Sequence, residues 1–427
     1  MTGQNALSDL RSTSRLRWTV LSTVSAMFFF LNLATFQSLG VVLFKMVAEL
    51  HWSATAAGSS FAFLGLACGF TSPLPAITIR KIGSRATMCI GAGLLVAGFW
   101  LCARGHDLVT FYAAMTLIGA GFSFGGTVPG VYLIVGWFER HSARVIGFYF
   151  MFGALGAAFG PPIVDGIVRA IGWRGHWLTM AVAAAFIGVM CLLFVRDIAE
   201  EAPAARQAGD ATHPTTRWTP RQAIMTYQFA LIAAAMAGTM GCVTTLSSVV
   251  VGHLVKLGAT PTRAAFVFGA LGLTATLVKA LAGWACEKFR PAMIAAAGLL
   301  LQMAGNILFA YADTAGLQYL AAVTFGTGWG LTYVGGTVLL VDYFGGAVGS
   351  RILSVVWLAS SIAAGGPVLA GVVADRFGTF VPIFILFGVL MLALAIPIWR
   401  MRPPAGPEPS EDAGSVLLDA IPHRDVA

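Results

Sequence analysis

Along the chain, runs of apolar residues long enough to span a bilayer alternate with short polar breaks. Twelve such runs are centred near residues 31, 66, 95, 120, 158, 185, 238, 274, 301, 330, 362 and 390. A helix that crosses the hydrocarbon of a bilayer needs about 20 mostly apolar residues. No stretch alternates in and out for long enough to build a β-barrel, so the spans read as helices, whose backbone groups bond within the segment. The pattern predicts an all-α polytopic membrane protein with twelve transmembrane helices and leaves no soluble catalytic domain over.

The longest polar interruption is RDIAEEAPAARQAGDATHPTTRWTPRQ, residues 196–222, rich in proline, alanine and charge. Such a composition is that of a linker. It divides the chain into an N-terminal tail (1–17), a first six-helix half (18–195), the linker, a second six-helix half (223–400) and a C-terminal tail (401–427). The apolar run after the basic N-terminus is as long as a full span and lacks a small-residue cleavage site, so it is read as helix 1 and not as a signal peptide. The halves repeat one another. GAGFSFGGTVPGVYLIVGWF (119–138) parallels GTGWGLTYVGGTVLLVDYF (326–344), and the pairs Arg144 and Arg351, Gly160-Pro161 and Gly366-Pro367 follow at nearly the same spacing. Pseudo-symmetric six-helix halves with a midplane site between them are a transporter architecture. That architecture does not by itself fix a substrate.

Composition agrees, with 58% apolar and 10% charged residues and a mean hydropathy of +0.82, against about 25% charged in soluble domains. The net charge of +8 changes the picture only through its placement. Of 26 Lys and Arg, 18 fall on the side of the termini, seven on the other side and one within a span. By the positive-inside rule both termini are then cytoplasmic, in a multi-pass protein of the cytoplasmic (inner) membrane. The basic balance is a topology signal and implies no nucleic acid. Cys68, Cys89, Cys102, Cys191, Cys242 and Cys286 form neither a disulfide framework nor a metal-ligand spacing and read as free thiols. There is no P-loop, no Gly-x-Ser-x-Gly and no His/Cys/Asp cluster. The chain is therefore expected to be no enzyme and no ATP-driven pump, to need no cofactor or metal, and to draw on a gradient.

AITIRKIGSR (76–85) and GWACEKFR (283–290) occupy the two places where the major facilitator superfamily carries a Gly-x-x-x-Asp-Arg-x-Gly-Arg-Arg loop. The chain resembles that superfamily over essentially its whole length. In the first copy Ala76 replaces the glycine and Arg80 stands where the acid is expected, so the acid of a cytoplasmic latch is missing there. The second copy keeps Gly283, Glu287 and Lys288. The resemblance implies gating roles for these residues and for Arg80 and Arg85. SLGVVLFKMVAELHWS (38–53) and GWFERHSARVIGFYFMFGALG (136–156) further resemble the monocarboxylate and oxalate/formate group of transporters. That resemblance implies a helix 8 cation, Lys279, four residues before Gly283, as the partner of a substrate carboxylate. It also implies a site lined by Trp329, Tyr333 and Trp357. Ser360 stands where the oxalate branch has a second lysine, and Ser38 where the monocarboxylate branch has a helix 1 lysine. One cation where relatives have two favours a singly charged anion over a dicarboxylate.

Taken on its own terms, Lys279 lies in LGLTATLVKALAGWACEKF, about eight residues from the end of its helix. A lysine at a helix centre costs roughly 2.5–3.5 kcal/mol in insertion. It either snorkels to the headgroups, pairs structurally, or serves as a ligand or proton carrier. Trp329, Tyr333 and Trp357 either wall a site or pack. Tyr132, Tyr149, Asn32 and Gln37 are further candidate contacts from the first half, or bridges between helices. Asp165 and Arg169 have the spacing of a helical ion pair. Gly147, Gly156, Gly160 and Pro161 follow most of the helix 5 pattern of proton-coupled drug exporters, with Val164 and Asp165 in place of its last two glycines; the plainer reading is close packing and a kink.

The expectation is a secondary active transporter of a small organic anion, most simply a monocarboxylate. It would move its cargo with a proton or against a counter-anion, by alternating access, as a monomer in the lipid bilayer. The alternatives are a proton-coupled exporter of amphipathic compounds and a non-transporting receptor or sensor on the same fold.

Overall fold

The computed structural model describes residues 2–138, 142–197, 218–345, 348, 352–353, 355–356, 360 and 365–404. The span centred near 362, Trp357, Arg351, linker residues 198–217 and the chain beyond 404 lie outside the described residues. Among the described residues every element is helical. In the first half, α1 (Thr2–Asn32) runs through a five-residue π turn (Leu33–Gln37) into α2 (Ser38–Leu50). There follow α3 (Ala54–Thr71), α4 (Leu74–Arg104), α5 (Leu108–Gly125), α6 (Thr127–Trp137) and α7 (Ser142–Phe194). The short α8 (Pro220–Ile224) leads into α9 (Tyr227–Lys256), α10 (Pro261–Lys288), α11 (Pro291–Ala310), α12 (Ala315–Phe344), α13 (Gly366–Phe377) and α14 (Val381–Arg400). Every predicted span centre within the described residues falls in a helix.

The helices start where polar caps meet apolar runs. Ser53, Thr226, Thr260 and Thr314 each accept a hydrogen bond from the backbone N–H three residues on, which satisfies one of the orphan donors of a first turn. In the loop before α5, Asp107 takes the Thr110 backbone N–H at 2.9 Å, and that bond holds its carboxyl below the usual carboxylate range. Helical backbone begins at Thr2 and covers the stretch assigned to the tail, residues 2–17. Spans 5 and 6 meet inside α7 with no loop, at Gly172, whose φ of 73° is one that a side-chain-bearing residue rarely adopts.

Within the first half α4 packs on α5 and α7, α1 on α7, and α3 on α5; in the second, α11 packs on α12 and α14, and α10 on α12. Among the described residues the halves meet chiefly along three lines: α3 on α13, α7 on α10, and α2 on α9. Glycines let backbones touch on each. An added Cβ at Gly269 would lie 2.6 Å from the Ala158 carbonyl, one at Gly40 2.5 Å from that of Ser247, and one at Gly58 would overlap the Pro367 carbonyl. These lines run from mid-bundle to the end opposite the tails, here termed the far end. Toward the far end, therefore, the halves are closed on one another.

Candidate functional site

On α10 the buried positions Leu271, Ala275 and Ala282 mark the stripe that faces the bundle. Lys279 falls on the same stripe, four residues after Ala275 and three before Ala282, which are helical neighbours on one face. Glycines bring α12 against this stripe: a Cβ at Gly326 would lie 2.5 Å from the Leu271 carbonyl, and one at Gly330 2.9 Å from that of Ala275. The contact places the next turns of α12 beside Lys279. Its Nζ lies 4.3 Å from the centroid of the Trp329 ring and 4.6 Å from that of Tyr333. An ammonium over an aromatic face is attracted by the ring quadrupole.

This geometry bears on snorkelling. Lys279 is nine residues, about 14 Å, from the α10 terminus on the tail side. Its side chain is half-buried and reaches toward Trp329, which stands midway along α12. Side chains on a helix lean toward its N-terminus, which for α10 is the far end. The ammonium is thus directed to mid-bundle and not to the nearer membrane face. Among the described residues, ion pairs form at Arg169 and Asp165 (3.0 Å), as their spacing suggests, and at Arg174 and Glu49 (2.7 Å). Among the described residues Lys279 has no such acid within reach. The Trp329 Nε1 is buried and makes no hydrogen bond among the described residues.

The other expected site residues are placed as follows. Ser360 turns its hydroxyl back onto the Val356 carbonyl at 2.8 Å. Tyr132 is exposed on α6. Tyr149 is fully buried inside the first half; its hydroxyl donates to the Gly126 carbonyl at 3.0 Å and its ring stacks on Phe28. There it braces the break between α5 and α6 instead of presenting a free hydroxyl. Asn32 donates to the Phe28 carbonyl at 2.8 Å. Gln37 closes the π turn, and its Oε1 is buried and accepts no hydrogen bond among the described residues. Behind the π turn, Ser38 Oγ donates to the Leu33 carbonyl (3.1 Å), which leaves it as acceptor for Nε2 of the fully buried His176 (3.1 Å). The Leu33 carbonyl already accepts the Ser38 backbone N–H within the π turn, and this pair adds a side-chain bond to it.

Of the helix 5 glycines, Gly156 lies against the Phe29 carbonyl and Gly160 against Leu33 and Gln37, while Gly147 faces open space. The helix continues through Pro161 and Pro162 with no non-helical residue before Gly172. At the tail end, Arg80 is exposed and Arg85 half-buried. Asp197, at the start of the linker, caps the helix that follows Gly83: it accepts from the Ser84 N–H (2.6 Å), the Arg85 N–H (3.2 Å) and the Ser84 hydroxyl. An acid absent from the first loop copy is thus supplied from a distant segment. In the second copy, Gly283 has open space around it, Glu287 is exposed, and Lys288 lies over its own neighbour Trp284 at 4.1 Å.

Sequence reasoning passed over Gln302, Thr332 and Thr239, which join α11, α12 and α9 by buried side-chain hydrogen bonds. A polar side chain in a span was the signal available. It also passed over Asp375, whose carboxylate accepts from the N–H groups of Ala54 (2.8 Å) and Thr55 (2.9 Å) and from the Thr55 hydroxyl (2.6 Å) across the two halves.

Residues 25–365 match the family model described as Major Facilitator Superfamily. Among curated proteins, the chain is similar to a probable L-galactonate transporter of Escherichia coli, 27% identical over 42% of this chain and 40% of that protein. It is similar to the riboflavin transporter RibJ of Trypanosoma brucei brucei, 30% identical over 30% of this chain and 23% of that one. The vesicular acetylcholine transporter of Mus musculus is 25% identical over 82% of this chain and 67% of its own length. The chain thus spans less than half of the first two relatives. Among solved structures, the nucleoside transporter NupG matches with a TM-score of 0.72 at 14% identity, over 90% of this chain and 99% of that one. A bacterial homolog of the human lysosomal transporter Spinster, inward-facing and unoccupied, matches with the same score and identity over 90% and 95%. At that identity the likeness concerns the fold.

Proposed function

The chain belongs to the Major Facilitator Superfamily, and from that premise we propose that it is a secondary active transporter of a small organic anion carrying one carboxylate, moved with a proton or in exchange for another anion. It works by alternating access between its two halves in the cytoplasmic membrane, with the tails in the cytoplasm. Lys279, Trp329 and Tyr333 form the core of its site, with Tyr132, Asn32, Gln37 and Ser360 around it; Trp357, outside the described residues, is assigned to it from the resemblance alone. Arg80, Arg85, Glu287 and Lys288 act at the tail-side gate.

One observation carries this reading: an ammonium in mid-bundle rests on two aromatic faces with no acid to neutralise it among the described residues. A charge in a membrane interior is costly without a partner, and a substrate carboxylate is the partner that fits. The buried Trp329 N–H, which makes no hydrogen bond among the described residues, offers a second donor beside the first. Donors without acceptors suit an anion. The probable L-galactonate transporter among the relatives moves, by its name, a carboxylate.

The vesicular acetylcholine transporters among the relatives and the close packing of Gly156 favour a second reading, an exporter of amphipathic cations. Against it, the aromatic faces that would receive such a cation already hold Lys279.

The test is uptake of a panel of radiolabelled monocarboxylates into proteoliposomes at two imposed pH gradients. Wild type is expected to accumulate at least one, and Lys279→Ala to lose at least nine-tenths of that uptake, about 1.4 kcal/mol or more of lost interaction. Undiminished transport by the alanine variant would sink the anion reading.

A further inference from the structure

Gln302 lies on α11, fully buried. Its Nε2 donates to Thr332 Oγ1 at 2.9 Å, to Thr239 Oγ1 at 3.3 Å and to the Gly328 carbonyl at 3.4 Å. Gly328 and Thr332 are one turn apart on α12, and each immediately precedes one of the rings over Lys279, Trp329 and Tyr333. Residues four apart share a helix face, and the next residue in each case is turned by about 100°. One amide on the α11 side therefore grips the two positions that aim the rings toward α10. Behind it, Asn306 Nδ2 donates to the Gln302 carbonyl at 2.9 Å and lies 3.2 Å from Cys242 Sγ.

The glycines of this interface do a different job. Gly298, Gly305, Gly328 and Gly335 bring α11 and α12 into backbone contact, which sets the distance between the helices. A glycine face is smooth, and it leaves rotation of α12 about its own axis weakly specified. A directional hydrogen bond to two successive turns specifies it. The amide also carries a cost: Gln302 Oε1 is buried and accepts no hydrogen bond among the described residues. An apolar side chain of the same size would strand no acceptor, so packing alone does not account for glutamine here.

We infer that Gln302 is a positioning residue for the transport site, fixing the rotation of α12 at which Trp329 and Tyr333 meet over the Lys279 ammonium. The inference rests on the reading of that site given above, and its test needs no substrate. The chain has five lysines, Lys45, Lys81, Lys256, Lys279 and Lys288. Reductive methylation with a 13C reagent keeps their charge and gives each NMR-visible methyl groups. The signal of Lys279, displaced by the two ring currents, is assigned through its loss in Lys279→Arg. Gln302→Met preserves volume and removes the N–H. The Lys279 signal is expected to move toward that of an exposed lysine, Thr332→Val to move it likewise, and the double variant to add nothing further. The signals of Lys256 over Phe380 and Lys288 over Trp284 stay in place as internal controls. Where the methionine variant unsettles all five signals, Thr332→Val decides. A Lys279 signal unmoved by both changes, yet displaced by Gly328→Ala, would overturn the inference and leave rotation to glycine packing. Normal transport by Lys279→Ala would remove the anion reading while leaving this measurement as it stands.

Discussion

Trp329 combines two functions that a substitution can separate: its ring holds the Lys279 ammonium at 4.3 Å, and its N–H is buried with nothing to donate to among the described residues. Trp329→Phe keeps an aromatic face and removes the donor. A hydrogen bond to a charged group contributes about 1.5–3 kcal/mol, so KM for the proposed anion substrate is expected to rise about tenfold to a hundredfold while the turnover rate changes less. Initial uptake rates against concentration decide; an unchanged KM would take the indole N–H out of the site. At this scale Lys279 was legible in the sequence because one ionisable residue in an apolar run is conspicuous. Tyr132 and Tyr149 were not separable there, since burial tells them apart and both lie in similar apolar stretches. Gln302 and Asp375 were not legible, because what distinguishes them is a partner on another helix, up to 321 residues away in the case of Asp375.

Among the elements, the span pattern was legible because hydropathy over 20 residues sets it. What remained hidden lies within the spans. The break at Gly172 separates two helices inside continuous apolar sequence. The π turn at Leu33–Gln37 adds a single residue to one turn of an unbroken run and leaves no mark in a periodicity. It is held from outside, by Ser38 Oγ on the Leu33 carbonyl and His176 Nε2 on Ser38 Oγ. Ser38→Ala removes both bonds; the Leu33 carbonyl keeps the Ser38 backbone N–H, while the buried His176 Nε2 is left without a partner, at about 1–3 kcal/mol. The expected outcome is faster amide exchange over residues 33–38 and a lower melting temperature in detergent. Unaltered exchange would mean that helix packing alone maintains the turn.

In the whole molecule, the three lines joining the halves are separate in sequence and must part together if access alternates. On α2–α9 and α7–α10 glycine lies close against backbone, at Gly40 with Ser247 and Gly269 with Ala158; such contacts are neutral in charge and reversible. On α3–α13 a carboxylate is added: Asp375 at the end of α13 caps the first turn of α3, where Gly58 and Gly371 also press the two helices together. The unpaired N–H groups of a helix start favour an anion. Loss of a capping side chain costs about 0.5–2 kcal/mol, which would shift a two-state balance about twofold to thirtyfold toward the far-open form. Asp375→Ala is therefore expected to speed amide exchange at residues 54–57 and also at 40–43 and 247–250, on a line its carboxylate does not touch. Exchange that rises at 54–57 alone would make Asp375 a local helix cap. A coupled rise at all three places would mean that one carboxylate at the far end biases the whole rigid-body equilibrium, because halves joined by smooth glycine contacts have little else to hold them shut.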